Sequence, residues 1–342
     1  MMAADATERL GVVVIGRNEG DRLIRCLRSI GGHGRVVYVD SGSTDGSQDA
    51  AAALGARVIA LDMARPFTAA RARNAGLAAL PAECAAIQFV DGDCTLDPGW
   101  LEKGQAALAA DPRLAAVFGR LRETAPEASI YNRLCDMEWA VAPGPARFCG
   151  GNAMIRRAAL DAAGGYPEAM IAGEEPDLSI RMRALGWTIR CLPAEMMRHD
   201  AAMSRFGQYW RRATRTGHAF AELADRHRGS PLHDYGRRLA SALLWGAALP
   251  AVAVAGIVAG ALARSTPLLI VGVVALVAPG AQALRILLRE RQRRPWRDAA
   301  ALALFLMLAK PAQVIGAARY WRGRIGGRRA TIIEYKDRER AA

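Results

Sequence analysis

The chain has 342 residues, enough for one large domain with an appendage or for two modest domains. Its 46 Lys and Arg outweigh 33 Asp and Glu for a net charge of +13, but residues 285–342 hold fifteen of the basic groups and only five acids. The first 284 residues therefore carry only about +3, which excludes a basic domain built to grip a duplex; basic residues beside long apolar runs suit an anionic membrane surface instead.

Near the N-terminus Asp5 and Glu8 run straight into a strand pattern, so no signal peptide is expected and the first domain should stay in the cytosol. Short aliphatic runs then alternate with helical patterns. Strands are predicted over 11–15, 35–39, 56–61 and 86–90, and helices over 21–30, 47–54 and 69–79. Such alternation argues for an α/β domain with a largely parallel sheet, in which ligands gather at the carboxyl ends of strands. Asn18, Asp40 and Asp91 each fall at or near such an end. Cys26, Cys84, Cys94, Cys135, Cys149 and Cys191 form no C-x-x-C pair and no zinc spacing, so buried structural thiols in a reducing compartment are expected.

The second region, 226–342, is read as membrane-associated. Residues 239–263 contain no charge and are long enough to span a bilayer; 267–288 form a second apolar helix, uncharged as far as Leu284, with Arg285 placed to snorkel. A third run, 299–318, is interrupted by Lys310-Pro311 and is basic on both flanks. It reads as a broken, re-entrant or interfacial helix pair followed by a basic tail. The Lys/Arg bias places the first domain on the cytoplasmic side of the inner membrane.

Asp91-Gly92-Asp93 emerges where a buried strand ends. Two carboxylates one residue apart can converge on a hard cation such as Mg²⁺ or Mn²⁺ and neutralise a diphosphate; a simple turn is the alternative. Asp40-Ser41-Gly42-Ser43-Thr44-Asp45-Gly46 offers a carboxylate to a uracil N3–H, or is a plain turn with Asp45 capping the next helix. Arg17, Asn18 and Glu19 could line a nucleoside pocket. Arg71 and Arg73, followed by Asn74, present two guanidinium forks with phosphate-binding geometry, or a solvated helix face.

Taken in order, these segments resemble family 2 glycosyltransferases, inverting enzymes of GT-A fold (nucleotide-diphospho-sugar transferase, Rossmann-like). Residues 12–19 look like the family's first-strand motif and Asp40 to Gly46 its D-G-S-T-D-G loop, with Ser41 where a second acidic or polar residue is common. Arg71 to Gly76 is similar to the A-R-N-x-G segment, Asp91 to Asp93 to D-x-D, and Gly150-Gly151-Asn152 and Gly164-Gly165-Tyr166 to the G-G-N and G-G-F stretches. The resemblance covers about 10–220, within a domain drawn at 10–225. It implies donor contacts from Arg17, Asn18, Glu19, Asp40, Ser41, Arg71, Arg73, Asn74 and Asp91, and an acceptor side at Gly150, Gly151 and Asn152.

Residues 173–181 resemble the family's E-D-x-D-L-x-x-R, in which the second acid is the expected general base. Glu175 stands there, a departure from the commoner aspartate, with Glu174 ranked behind it and Asp177 expected to cap the helix that follows. His199 matches the position that often completes the metal site, beside Asp91 and Asp93. The resemblance thus implies a Mn²⁺- or Mg²⁺-dependent transfer from a nucleotide-sugar, UDP-linked by preference, to a lipid-linked acceptor in polysaccharide or cell-envelope glycan synthesis. Residues 208–215 suggest an amphipathic surface helix, or one closing over the diphosphate. A sugar nucleotidyltransferase would need a glycine-rich N-terminal loop near a lysine, and no lysine precedes Lys103; a non-catalytic scaffold would not need carboxylates at 91, 93 and 175.

Overall fold

A computed structural model describes residues 10–327. The expectation that no signal peptide precedes the first strand (1–9) and the end of the basic tail (328–342) lie outside the described residues. The β-branched run Leu10–Gly16 forms β1, buried along almost its whole length and paired in parallel with β2 (Arg35–Asp40) on one side and β4 (Ala86–Asp91) on the other; β3 (Arg57–Ala60) extends the ladder beyond β2. Strands covered on both faces read as continuous apolar runs, which is why these elements are visible in the sequence. The crossovers are α1 (Asp21–Ile30), α2 (Ser47–Ala53) and α3 (Ala69–Ala79). The registers Gly16↔Asp40 and Ile15↔Asp91 bring the carboxyl ends of three strands level.

The expectation of a largely parallel sheet holds only for this half. Past β4 the nine-stranded sheet is mixed, in the order β3-β2-β1-β4-β8-β6-β9-β5. β8 (Ala153–Arg156) is antiparallel to both β4 and β6 (Leu114–Glu123), while β9 (Thr188–His199) is parallel to β6 and antiparallel to β5 (Cys94–Leu96) and β7 (Gly144–Ala146). β5, β7 and β8 are three or four residues long, too short for alternation to register. Between them lie α4 (Trp100–Ala110), α5 (Ile130–Glu138), α6 (Arg157–Ala162) and α7 (Glu174–Ala184).

Val12, Val13, Phe89, Ile155 and Trp100 are fully buried in the core, where the Trp100 indole N–H donates to Gln88 Oε1 at 2.8 Å and leaves no polar penalty there. Gly76 lets α3 lie directly on the sheet, because a Cβ at this position would collide with Val13 Cγ1 and sit 3.1 Å from Val39 Cγ2. Gly76→Ala should destabilise the domain by about 1–3 kcal/mol, read as a lowered thermal midpoint in detergent. All six cysteines are buried and free, as expected.

The described residues divide into two compact units between Ser204 and Arg205 rather than after 225. The reason is α8 (Phe206–Arg226), which belongs with the helical unit: the Tyr209 hydroxyl donates to Phe305 O at 2.6 Å, and Asp225 accepts from Tyr320 Oη at 2.7 Å and Arg324 Nε at 2.8 Å. That unit continues with α9 (Tyr235–Leu262, with a π-turn at Leu244–Ala248), α10 (Thr266–Glu290) and α11 (Trp296–Ile325). These last three helices are long and apolar enough to cross a membrane. α9 and α10 meet at Gly256 and Gly272, where a Cβ on Gly256 would be 2.8 Å from the Gly272 Cα, a small-residue contact of the kind that lets apolar helices pack closely.

The predicted break at Lys310-Pro311 is absent: α11 is one continuous helix. Proline forfeits a single helical hydrogen bond without ending the helix here. Lys310 Nζ reaches Ser241 Oγ at 3.2 Å, and Gly246 presents bare backbone to the Lys310 carbonyl.

Candidate active site

Two loops meet at the carboxyl edge. Asn18, at φ +55°, donates its N–H to Ser43 Oγ at 2.9 Å and accepts the Thr44 N–H on Oδ1 at 2.8 Å. The Gly20 N–H donates to Asp45 Oδ2 at 2.9 Å, while Asp45 Oδ1 holds the Ser47 N–H and hydroxyl at the start of α2. Arg17 lies over the Phe67 ring at 4.7 Å, and Glu19 pairs with Arg22 at 2.9 Å.

Asp40 departs from expectation. It is fully buried, its Oδ2 accepting from Gly42 N, Ser43 N and Gln48 Nε2, all at 2.9 Å, and its Oδ1 from Tyr38 Oη at 2.9 Å. Three donors crowd Oδ2, and one engages Oδ1. Asp40 thus shapes its own loop from within, through bonds to Gly42, Ser43 and Gln48. Ser41, also buried, donates its N–H to Gly16 O at 3.0 Å.

The two guanidinium forks are likewise spent internally. Arg71 donates to the carbonyls of Asp62, Arg65 and Pro66 at 2.8–3.0 Å and so ties down that loop. Arg73, with 3% of its side chain exposed, donates through Nη1 to Glu174 Oε1 at 3.0 Å and Glu175 Oε1 at 3.3 Å, and through Nη2 to Asp91 Oδ1 at 3.1 Å. Asn74 holds the backbone of Tyr166, donating to its carbonyl and accepting its N–H, each at 2.9 Å. The Tyr166 ring centroid then lies 5.5 Å from the Arg73 guanidinium.

Asn152, expected on the acceptor side, instead clamps Asp91: its Oδ1 accepts the Asp91 N–H at 2.8 Å and its Nδ2 donates to Asp91 Oδ2 at 3.1 Å. The register Phe89↔Ala153 makes this inevitable, since it sets the residue before β8 opposite the end of β4. Gly151 packs on Arg73 and Glu175, whereas Gly150 has open space around its Cα.

Glu174 and Glu175 begin α7 behind Gly173, which takes φ +85° at the N-cap; Asp177 lies one turn inside, paired with Arg181 at 2.7 Å, and Arg181 also braces the Gly165 carbonyl. Leu178 and Met182 are buried, but Leu185, past the helix end, is exposed. Burial and the adjacent Glu174 carboxylate push the Glu175 carboxyl up to about 7, against the opposing pull of Arg73. Arg73 Nε, Glu174 Oε2 and the Tyr166 hydroxyl are all buried without a hydrogen-bond partner.

Asp93 meets His199 across the β5–β9 ladder, where Cys94 pairs with His199; His199 Nε2 is 3.1 Å from Asp93 Oδ2, and its ring stacks on Trp139 at 4.6 Å. Among the described residues, Asp93, Cys94 and His199 are the group whose donor atoms all lie within 4.8 Å of one another. Asp91 is not part of that group and engages Arg73. Burial, with the Asp91 carboxylate nearby, holds the Cys94 thiol well above the usual range, and as a soft donor it suits a hard cation less well than a carboxylate does. A carboxylate with an imidazole suits Mn²⁺, and three carboxylates around a single Arg73 leave surplus negative charge beside it. The residues present thus fit a divalent cation. Tyr166 closes the Gly164-Gly165-Tyr166 motif but carried no assigned role, Cys94 was expected only as a buried structural thiol, and nothing in the sequence marked Trp139.

A mixed-sheet α/β domain whose carboxylates gather at the carboxyl edge of its parallel half has the GT-A arrangement. Residues 11–164 match the profile of Glycosyl transferase family 2, and this part of the chain is a family 2 glycosyltransferase domain. The Pre-mycofactocin glycosyltransferase of Mycobacterium tuberculosis (strain CDC 1551 / Oshkosh) is 30% identical over 229 residues, 63% of this chain and 47% of its own, so the chain spans about half the length of the curated relatives it matches. Among solved structures, mannosyltransferase PcManGT from Pyrobaculum calidifontis, in complex with GDP-Man and Mn²⁺, is similar with a TM-score of 0.57 at 21% identity over 92% of this chain and 87% of that one. S. aureus TarS gives a TM-score of 0.50 at 13% identity over 86% and 54%. Both likenesses concern the fold.

Proposed function

We propose that the chain catalyses metal-dependent, inverting transfer of a sugar from a nucleotide-sugar donor to the hydroxyl of a lipid-linked acceptor, in polysaccharide or cell-envelope glycan synthesis. The observation that carries this reading is the bridge through Arg73 between Asp91 at the strand end and Glu175 on α7. It sets a carboxylate with a raised pKa a fixed distance from the acidic strand end. Glu175 would take the acceptor proton as that oxygen bonds to the anomeric carbon and the nucleoside diphosphate departs with the pair from the broken C–O bond. A divalent cation held by Asp93 and His199, with Asp91 alongside, would supply charge neutralisation to the departing diphosphate. Because Asp40 is buried, no base preference is assigned. Membranes bearing the protein, given UDP- and GDP-sugars with Mn²⁺, should release nucleoside diphosphate from at least one donor; silence across the panel sinks the reading.

The apolar helices favour a membrane-bound acceptor, and the Arg-rich flanks favour a cytoplasmic catalytic domain. α11 carries the charged helix α8 along Phe305–Arg324, with Gly217 against Gln313 and Gly316 against Thr214, so we place α11 at the interface rather than across the bilayer. A cysteine at position 326 should react with an impermeant maleimide only after permeabilisation. Labelling of intact cells would instead make α11 a third span.

A further inference from the structure

We propose that Arg73 is a positioning residue and not a phosphate clamp: its guanidinium locks the Asp91 carboxylate and the Glu174–Glu175 pair into one frame, fixing the first turn of α7 against the end of β4. The proposal rests on the transferase reading above. Its basis is that both terminal nitrogens of the fork are already engaged by carboxylates, leaving only the buried Nε without a partner. Nη1 is shared by the two glutamates at 3.0 and 3.3 Å, and Nη2 belongs to Asp91 at 3.1 Å. The Tyr166 ring lies over the guanidinium carbon, and Gly151 closes a further side so tightly that a Cβ there would overlap Nη2 and stand 2.9 Å from Glu175 Oε1.

To reach a diphosphate, this side chain would have to abandon three carboxylates and strand Glu174, which is 2% exposed, as an uncompensated buried charge. Asn74 completes the device from the next position, since its grip on the Tyr166 backbone keeps that ring in place. Planarity matters here. A guanidinium can donate in two directions at fixed angles, whereas the ammonium of lysine is a point charge that cannot hold the two elements apart at a set spacing.

Two variants of the full-length protein separate positioning from clamping. Arg73→Lys keeps the charge but loses the fork, and Gly151→Ala removes no charge but pushes the fork aside. Both should bind UDP·Mn²⁺ or GDP·Mn²⁺ within about threefold of wild type by calorimetry and keep the donor KM within the same range. Their kcat should fall about 100-fold, the usual cost of a reacting group displaced by roughly an ångström. A more than tenfold loss of nucleotide affinity, with kcat within about threefold of wild type, would overturn the proposal.

Glu174→Gln, which keeps the volume, guards against a misfolded Arg73 variant. Removing the neighbouring carboxylate from the shared fork should move the midpoint of the kcat/KM pH profile downward, and an unmoved midpoint counts against the frame. Failure of the transferase reading has a different signature: wild type releases no nucleotide, or Glu175→Gln keeps the full rate, whatever the binding data show for Arg73.

Discussion

Glu175→Gln should lower kcat by about 10²–10⁴-fold while leaving donor KM within a few fold, because only the proton acceptor is lost. The wild-type rate should rise as pH passes upward through about 7, where Glu175 ionises, and the variant should lack that limb. Stability should move the other way. In the unfolded chain the carboxyl ionises near 4.5 and in the fold near 7, so the native state holds the proton more tightly and loses stability as pH climbs between those values. Well above pH 7 the cost is present in full, about 3 kcal/mol for a shift of this size, and the glutamine variant, spared it, should unfold at higher temperature. Below about pH 4.5 the two proteins should melt together. Equal melting at pH 8 would show that Glu175 carries no such strain.

Asp93→Asn is expected to be nearly as damaging as loss of the base. Asp93 is 6% exposed and paired with His199, so an amide there removes the negative charge facing the imidazole and weakens cation affinity by about 10–100-fold. The apparent Mn²⁺ requirement should rise accordingly, and chelation with EDTA should silence the wild-type enzyme reversibly. Cys94→Ser is the control. A thiol is a soft donor, so exchanging sulfur for oxygen should leave the Mn²⁺ titration unchanged, whereas His199→Ala should shift it. A full rate for Asp93→Asn at limiting Mn²⁺ would remove the site from the mechanism.

Much of the first half was legible because its physics is local. The runs that became β1, β2 and β4 are apolar along their length, and α3 spans the predicted residues 69–79. The edge positions of Asp40 and Asp91 follow from where those runs stop. The antiparallel half was not visible, since β7 and β8 are fixed by pairing with distant strands and carry almost no pattern of their own. Side-chain roles were harder still. An arginine in sequence announces five donors but not their acceptors, and those of Arg73 come from residues 18 to 102 positions away. Asp40 illustrates the reverse problem: its motif was recognisable, but nothing local revealed that Tyr38 and Gln48 would consume its oxygens. Lys310-Pro311 read as a break because proline is costly in an isolated helix; Ser241 and Gly246, which meet Lys310, lie on another helix.

The junction where β4 meets the antiparallel β8 has a consequence for the chain as it is synthesised. The loops at residues 18 and 40 close over separations of about 25 residues, but Asp91 waits for Asn152, 61 residues on, and Asp93 for His199, 106 residues on. A nascent chain therefore shapes the rim formed by residues 18–45 early and completes the contacts of Asp91 and Asp93 later. A product truncated before residue 174 would lack Glu174, Glu175 and His199, and with them two of the three carboxylates that meet at Arg73 and the partner of Asp93.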